Sequence, residues 1–262
     1  MGTPVSPEST ARRRRYLAAG VGVVAGLLSG LFGVGGGIVL VPLLVLVVGL
    51  DPRRAAATSL AAVIPIAVFG LLGYAVRGQV DWVLGLFISL GALLGTLLGT
   101  RLLARLPERR LMFGFSTLLL LVAIRLPFAE PAAIARESLD PVIVLQGVLL
   151  GLLSGVLAGL FGVGGGFVIV PAMVLLFGEP AALAKGTSLL VIVPTALMGT
   201  WLNARTRLVD RSVASVTGAV GAVASFGFAQ VSVGLDERLA NLLFALLLVA
   251  VAVRMAFVAR AL

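Results

Sequence analysis

The sequence predicts an all-α polytopic membrane protein built of two inverted repeats of roughly five helical segments each, the first two segments of each repeat forming a glycine-broken hairpin. Three observations carry this. Apolar residues make up 60% of the 262 and charged residues only 12%, whereas a soluble domain is about a quarter charged. Apolar segments recur along the chain with only short clusters of Arg, Asp, Glu, Pro and Gly between them, the pattern of repeated spans. The block Gly30-Leu31-Phe32-Gly33-Val34-Gly35-Gly36-Gly37 also returns unchanged as Gly159-Leu160-Phe161-Gly162-Val163-Gly164-Gly165-Gly166.

That shift of 129 residues holds well beyond the block. Val39, Val41 and Pro42 recur as Val168, Val170 and Pro171, Thr58-Ser59-Leu60 as Thr187-Ser188-Leu189, Pro65 as Pro194, and Val80-Asp81 as Val209-Asp210. A register shared over some fifty residues marks a duplicated unit of half the chain. The expected organisation is a cytoplasmic basic tail (1–15), a first membrane repeat (16–128), an extracytoplasmic linker (129–140) and a second membrane repeat (141–262).

Taken in order, residues 1–15 are polar and end in Arg12-Arg13-Arg14-Arg15. The apolar run behind them continues past signal-peptide length into further apolar segments, so it reads as a tail with a basic stop. The first repeat has segments near 17–32, 38–50, 56–76, 82–104 and 110–128, and the second near 141–161, 167–178, 183–203, 212–233 and 239–258. The first two of each set read as short for full spans, which need ~20 residues, and glycines rather than a polar loop join them. Positive charge then separates a helix that crosses once from a hairpin that returns to its own side. With returning hairpins and an inside N-terminus, fifteen of the twenty basic residues fall on inside faces, leaving Arg77, Arg125, Arg136, Lys185 and Arg238 outside. A single crossing would export Arg53-Arg54 and the arginine-rich 101–110 loop. Returning hairpins give each half an odd number of crossings, relate the halves by inversion and place both termini in the cytoplasm.

A backbone break in hydrocarbon is tolerable only inside protein or beside a wet cavity. A helix restarting at Gly37 or Gly166 would aim unpaired N–H groups and a positive dipole end inward, where a small anion is favoured without a formal charge. The candidate binding residues are therefore Gly33, Gly35, Gly36, Gly37, Thr58 and Ser59 in one half, with Gly162, Gly164, Gly165, Gly166, Thr187 and Ser188 in the other. The hydroxyls either cap the third segments or donate to ligand oxygens. Lys185 reads as a snorkelling interfacial lysine. Pro42, Pro65, Pro171 and Pro194 kink their helices, and the Gly22/Gly26/Gly30, Gly91/Gly95/Gly99 and Gly147/Gly151/Gly155/Gly159 ladders allow close packing within the bundle or against a second copy in a homodimer.

Much chemistry is excluded. The chain has no Cys and no His, which removes disulfides, thiols, imidazole metal sites and the familiar nucleophile pairs. No acid falls at mid-depth in a predicted span, so neither an intramembrane enzyme nor a resident cation site is expected. The net charge of +9 comes from loop arginines rather than a basic helix with interleaved aromatics, so nucleic acid is not the expected partner; the lipid bilayer and a small anion are. No cofactor and no catalytic residue is expected. A secondary transporter working by alternating access fits this inventory. A passive anion channel and a non-transporting membrane assembly subunit stay open beside it.

The doubled G-x-F-G-V-G-G-G block, followed by V-P, then T-S, then a short loop ending V-D, resembles the sulfite exporter TauE/SafE family of membrane permeases over nearly all of residues 16–258. The resemblance implies export of sulfite, an organosulfonate or a related sulfur-containing anion at a cell (inner) membrane, with the glycines and Thr-Ser pairs named above as its lining. Where the first half reads Gly78-Gln79-Val80-Asp81-Trp82, the second reads Arg207-Leu208-Val209-Asp210-Arg211, so that loop reads as a turn and interface anchor.

Overall fold

The protein is described by a computed structural model covering residues 7–102, 108–128, 140–161, 164–204 and 208–261. Among the described residues every regular element is a helix. The first half contains α1 (Pro7–Phe32), α2 (Gly37–Leu46), α3 (Pro52–Ala75), α4 (Trp82–Leu102) and α5 (Glu108–Arg125), ending in a 3-10 turn at Leu126–Phe128; the second contains α6 (Pro141–Phe161), α7 (Gly166–Phe177), α8 (Ala181–Ala204), α9 (Arg211–Val233) and α10 (Glu237–Ala261). Six of them (α1, α3, α4, α6, α8 and α9) are long and apolar enough to cross a membrane. On α4 the stripe Leu86, Leu90, Leu94 and Leu98 is at least half exposed, a surface that lipid, not water, suits.

The hairpins differ from expectation in one respect. Only their second members are short, 10 residues in α2 and 12 in α7, while α1 runs for 26 and α6 for 21. The run Arg12 to Arg15 reads as a tail because it is charged, yet it lies within α1. Arginine propagates a helix well, and its long side chain can reach beyond the apolar layer.

Two seams hold the halves together. α1 lies parallel to α9, with Gly22 against Thr217, Gly26 against Gly221 and Gly30 against Ser225; α4 lies parallel to α6, with Gly91 against Val148, Gly95 against Leu152 and Gly155 against Ala92. At Gly22, Gly26, Gly30, Gly91, Gly95 and Gly155 even a methyl group would run into a backbone carbonyl oxygen. The ladders are thus consumed as helix–helix contacts inside the chain, the close approach small residues permit.

At the centre α3 and α8 cross antiparallel. Leu60 packs on Gly199, Gly70 on Leu189, and Tyr74 on Gly186, a register that sets Pro65 level with Pro194. The crossing defines two ends of the bundle: one carries the start of α1, where Arg14 pairs with Asp210 at 3.1 Å, and the other carries Lys185 and Gln79. The short loops Val47–Asp51 and Gly178–Pro180 bring α2 and α7 to the starts of α3 and α8, where Asp51 caps α3 by accepting from Arg53 N–H.

Candidate functional site

The sequence makes the two glycine breaks by a shared backbone device. Gly36 and Gly165 are left-handed, at φ 70° and 76°, and immediately precede α2 and α7. Glycine takes that conformation without the steric cost other residues incur. Each also touches the helix before it, Gly36 at the Ala25 carbonyl and Gly165 at the Ser154 carbonyl. Neither helix start has a side-chain cap, so the N-terminal N–H groups of α2 and α7 are presented with no acceptor from a capping side chain.

The breaks meet. A methyl group on Gly166 would stand 2.9 Å from the Gly33 carbonyl oxygen and 2.8 Å from Ser188 Oγ. Gly35 and Gly164 both face the Ile192 side chain. Gly33, Gly35, Gly36, Gly37, Gly164, Gly165 and Gly166 are all buried; Gly162 lies outside the described residues. The Ser59 and Ser188 hydroxyls, repeat mates, are fully buried and without a hydrogen-bond partner. An unsatisfied buried hydroxyl costs free energy, and one of the two, Ser188, stands beside the second break.

Thr58 and Thr187 do something else. Thr58 Oγ1 accepts from Asp210 N–H at 3.0 Å, and Thr187 Oγ1 accepts from Asp81 N–H at 2.9 Å. These reciprocal bonds staple each half to the other, at opposite ends of the bundle. Neither threonine caps its own helix, because α3 begins at Pro52 and α8 at Ala181. Asp81 and Asp210 cap the following helices, accepting from Leu84 N–H and Val213 N–H, which makes the V-D loops turns and anchors.

Lys185 is not a snorkelling lysine. It is 1% exposed, its Nζ donates to Ser232 Oγ at 2.9 Å, and Ser232 Oγ donates to the Leu31 carbonyl at 2.9 Å. The Lys185 backbone lies against Gly33, and its side chain runs to Ser232 of α9, which bonds to Leu31 of α1. A pocket of about 250 Å3 is lined there by Gln79, Pro180, Lys185 and Ser232.

Sequence reasoning misses one pair. Tyr74, on α3, is fully buried and donates to the Gly30 carbonyl at 2.6 Å. Its repeat mate is Asn203, on α8, which is only partly buried, donates Nδ2–H to the Gly199 carbonyl and lines a cavity of about 260 Å3 with Thr96, Gly159, Gly164, Thr195 and Gly199. That cavity reaches the second break from the Arg14 end. The signal was present in the 129-residue shift, which pairs Tyr74 with Asn203.

Among the described residues no group of three or more acids could hold a metal ion. The arrangement offers uncapped helix starts, buried hydroxyls and a cavity.

Comparison with known proteins identifies the family. The family model for the sulfite exporter TauE/SafE matches residues 2–126 and 147–262. A probable membrane transporter protein of Xylella fastidiosa (strain 9a5c) is 32% identical over 240 residues, covering 89% of this chain and 92% of its own length. The probable membrane transporter protein YunE of Bacillus subtilis (strain 168) is 28% identical over 202 residues, covering 68% of this chain and 74% of its own. One from Methanocaldococcus jannaschii is 28% identical over 201 residues, at 71% and 72%.

Proposed function

The chain belongs to the sulfite exporter TauE/SafE family and is a multi-pass membrane transporter, and from that premise we propose that it exports a small sulfur-containing anion, sulfite or an organosulfonate, by alternating access. The observation that carries the reading is the meeting of the two breaks: two helix starts without side-chain caps, from different halves, converge on Ile192, with the unpartnered Ser188 hydroxyl beside Gly166. Helix N-termini favour negative charge through their N–H groups and dipole, worth up to ~2 kcal/mol each when partly buried.

In this reading Gly35, Gly36, Gly37 and their mates Gly164, Gly165 and Gly166 give the anion backbone donors, Gly33, whose N–H is bonded to the Ser29 carbonyl, and its mate Gly162 let the chain turn beside it, and Ser59 and Ser188 give it hydroxyls. Thr58 and Thr187 hold the walls. The protein sits in the cytoplasmic membrane with both termini inside and its halves inverted, so the Arg14 end faces the cytoplasm and the cavity beside Asn203 is the cytoplasmic entry. An anion arriving there passes Thr195 and reaches Gly164. Rocking of the halves about the α3–α8 crossing, where Pro65 and Pro194 stand level, then opens the other end.

Purified protein in liposomes, given a panel of anions with and without a pH gradient, tests this. Saturable sulfite or organosulfonate flux with counterflow is expected. Flux without saturation or counterflow makes the protein a channel, and no flux of any anion makes it an assembly subunit.

A further inference from the structure

The cavity at the Arg14 end has a repeat mate at the Lys185 end that is shut. Shifting its lining by 129 residues carries Thr96 to Ser225, Ala158 to Ser29, Gly164 to Gly35, Gly199 to Gly70 and Asn203 to Tyr74. In the mate, the Tyr74 phenol reaches Gly30, itself the counterpart of the lining residue Gly159. Small residues remain beneath it: a methyl group on Gly70 would stand 2.5 Å from Ser225 Oγ. The hydroxyls of Ser29 and Ser225 are fully buried and have no partner. Two unsatisfied hydroxyls at positions whose mates line an open cavity are unexplained by packing, since alanine would spare the desolvation cost.

We infer that Tyr74 is the plug of a second chamber, closed in this state, in which Ser29 and Ser225 form a hydroxyl site for the same small oxyanion on its way to the Lys185 end. The inference rests on the transport reading above. Tyr74 Cβ packs on Gly186, next to Lys185, so a phenol released from Gly30 would join the chamber to the pocket lined by Lys185 and Ser232. The hydroxyls then gain an acceptor in the anion, and Lys185, close by, supplies attraction. The asymmetry is chemical as well as conformational: tyrosine fills the space and bonds across it, whereas the shorter asparagine lines a cavity.

The chain has no cysteine, so single cysteines report without background. Ser225→Cys and, separately, Leu202→Cys are reconstituted and labelled with a membrane-impermeant, anionic thiosulfonate from each face. Leu202→Cys is expected to react from the Arg14 face at once and Ser225→Cys to resist. Adding Tyr74→Phe, which keeps the ring and removes the bond, raises the rate at Ser225→Cys about fivefold, the factor of a neutral hydrogen bond worth about 1 kcal/mol, and only from the Lys185 face; Tyr74→Ala, which removes the plug as well, raises it further, and the phenylalanine variant serves alone if the alanine variant fails to fold. An organosulfonate, which does not react with the reagent, slows labelling. Unchanged reactivity in both Tyr74 variants, labelling from the Arg14 face, or indifference to the organosulfonate overturns the inference. Should Ser225→Cys open as described while the wild-type protein moves no anion, the chamber stands and the transport reading falls.

Discussion

Tyr74 and Asn203 stand 129 residues apart at one position of the duplicated unit, and they treat their surroundings in opposite ways. Tyr74 is fully buried and bonded across to α1; Asn203 bonds back onto α8 and leaves about 260 Å3 beside it. The helices around them are matched, since the α1–α9 seam has its counterpart in α6–α4 and both glycine breaks touch the preceding helix at mated residues. Duplication has therefore preserved the frame while the fillers diverged. A strictly symmetric pair of halves would give both ends equal claim to be open; one tyrosine biases the molecule toward the Arg14 end.

The strongest way to break this comparison is to exchange the fillers. Tyr74→Asn with Asn203→Tyr is expected to invert the bias, so that Leu202→Cys loses roughly tenfold in labelling rate and Ser225→Cys gains by a similar factor. If both rates stay at their original values, the closed end is set by the frame and not by the fillers.

A smaller effect sharpens the contrast along a single seam. At the Lys185 end, Ser232 accepts from an ammonium group and donates to Leu31; at the Arg14 end, Thr217 donates to the Ala18 carbonyl at 3.1 Å. Bonds to charged groups contribute about 1.5–3 kcal/mol and neutral ones about 1. Ser232→Ala should therefore lower stability in detergent by about 1.5–3 kcal/mol and Thr217→Ala by about 1, read as unfolding midpoints on one preparation. Equal losses would place the stiffness of the seam in its glycine contacts rather than in the lysine network.

The frame was largely legible in the sequence because its signals are local. Glycines at four-residue spacing, apolar segments and a block of eight identities need no partner to be recognised, and the ten helices fall where the apolar segments do. The length of α1 was not legible, since four arginines read as a boundary although they lie within the helix. Nor were the roles of Thr58 and Thr187, whose partners lie 152 and 106 residues away. A hydroxyl near an apparent helix start reads as a cap until the true start, six residues earlier at Pro52, is known. Lys185 misled for the converse reason: a lysine near a helix end ordinarily reaches water, whereas here its partner Ser232 lies 47 residues away in sequence. Of the candidate site, Gly33, Gly35, Gly164, Gly166 and Ser188 stand close together, while the two threonines serve as joints between halves.

The convergence of two breaks on one anion is tested most directly by binding stoichiometry. Isothermal titration of sulfite into the purified protein should give one anion per chain. Gly35→Ala and Gly164→Ala, each forcing a side chain onto left-handed backbone facing Ile192, should each abolish that binding while α-helical content is retained. Two anions per chain, each lost in only one of the variants, or binding at the breaks that survives in either variant, would contradict a single shared site.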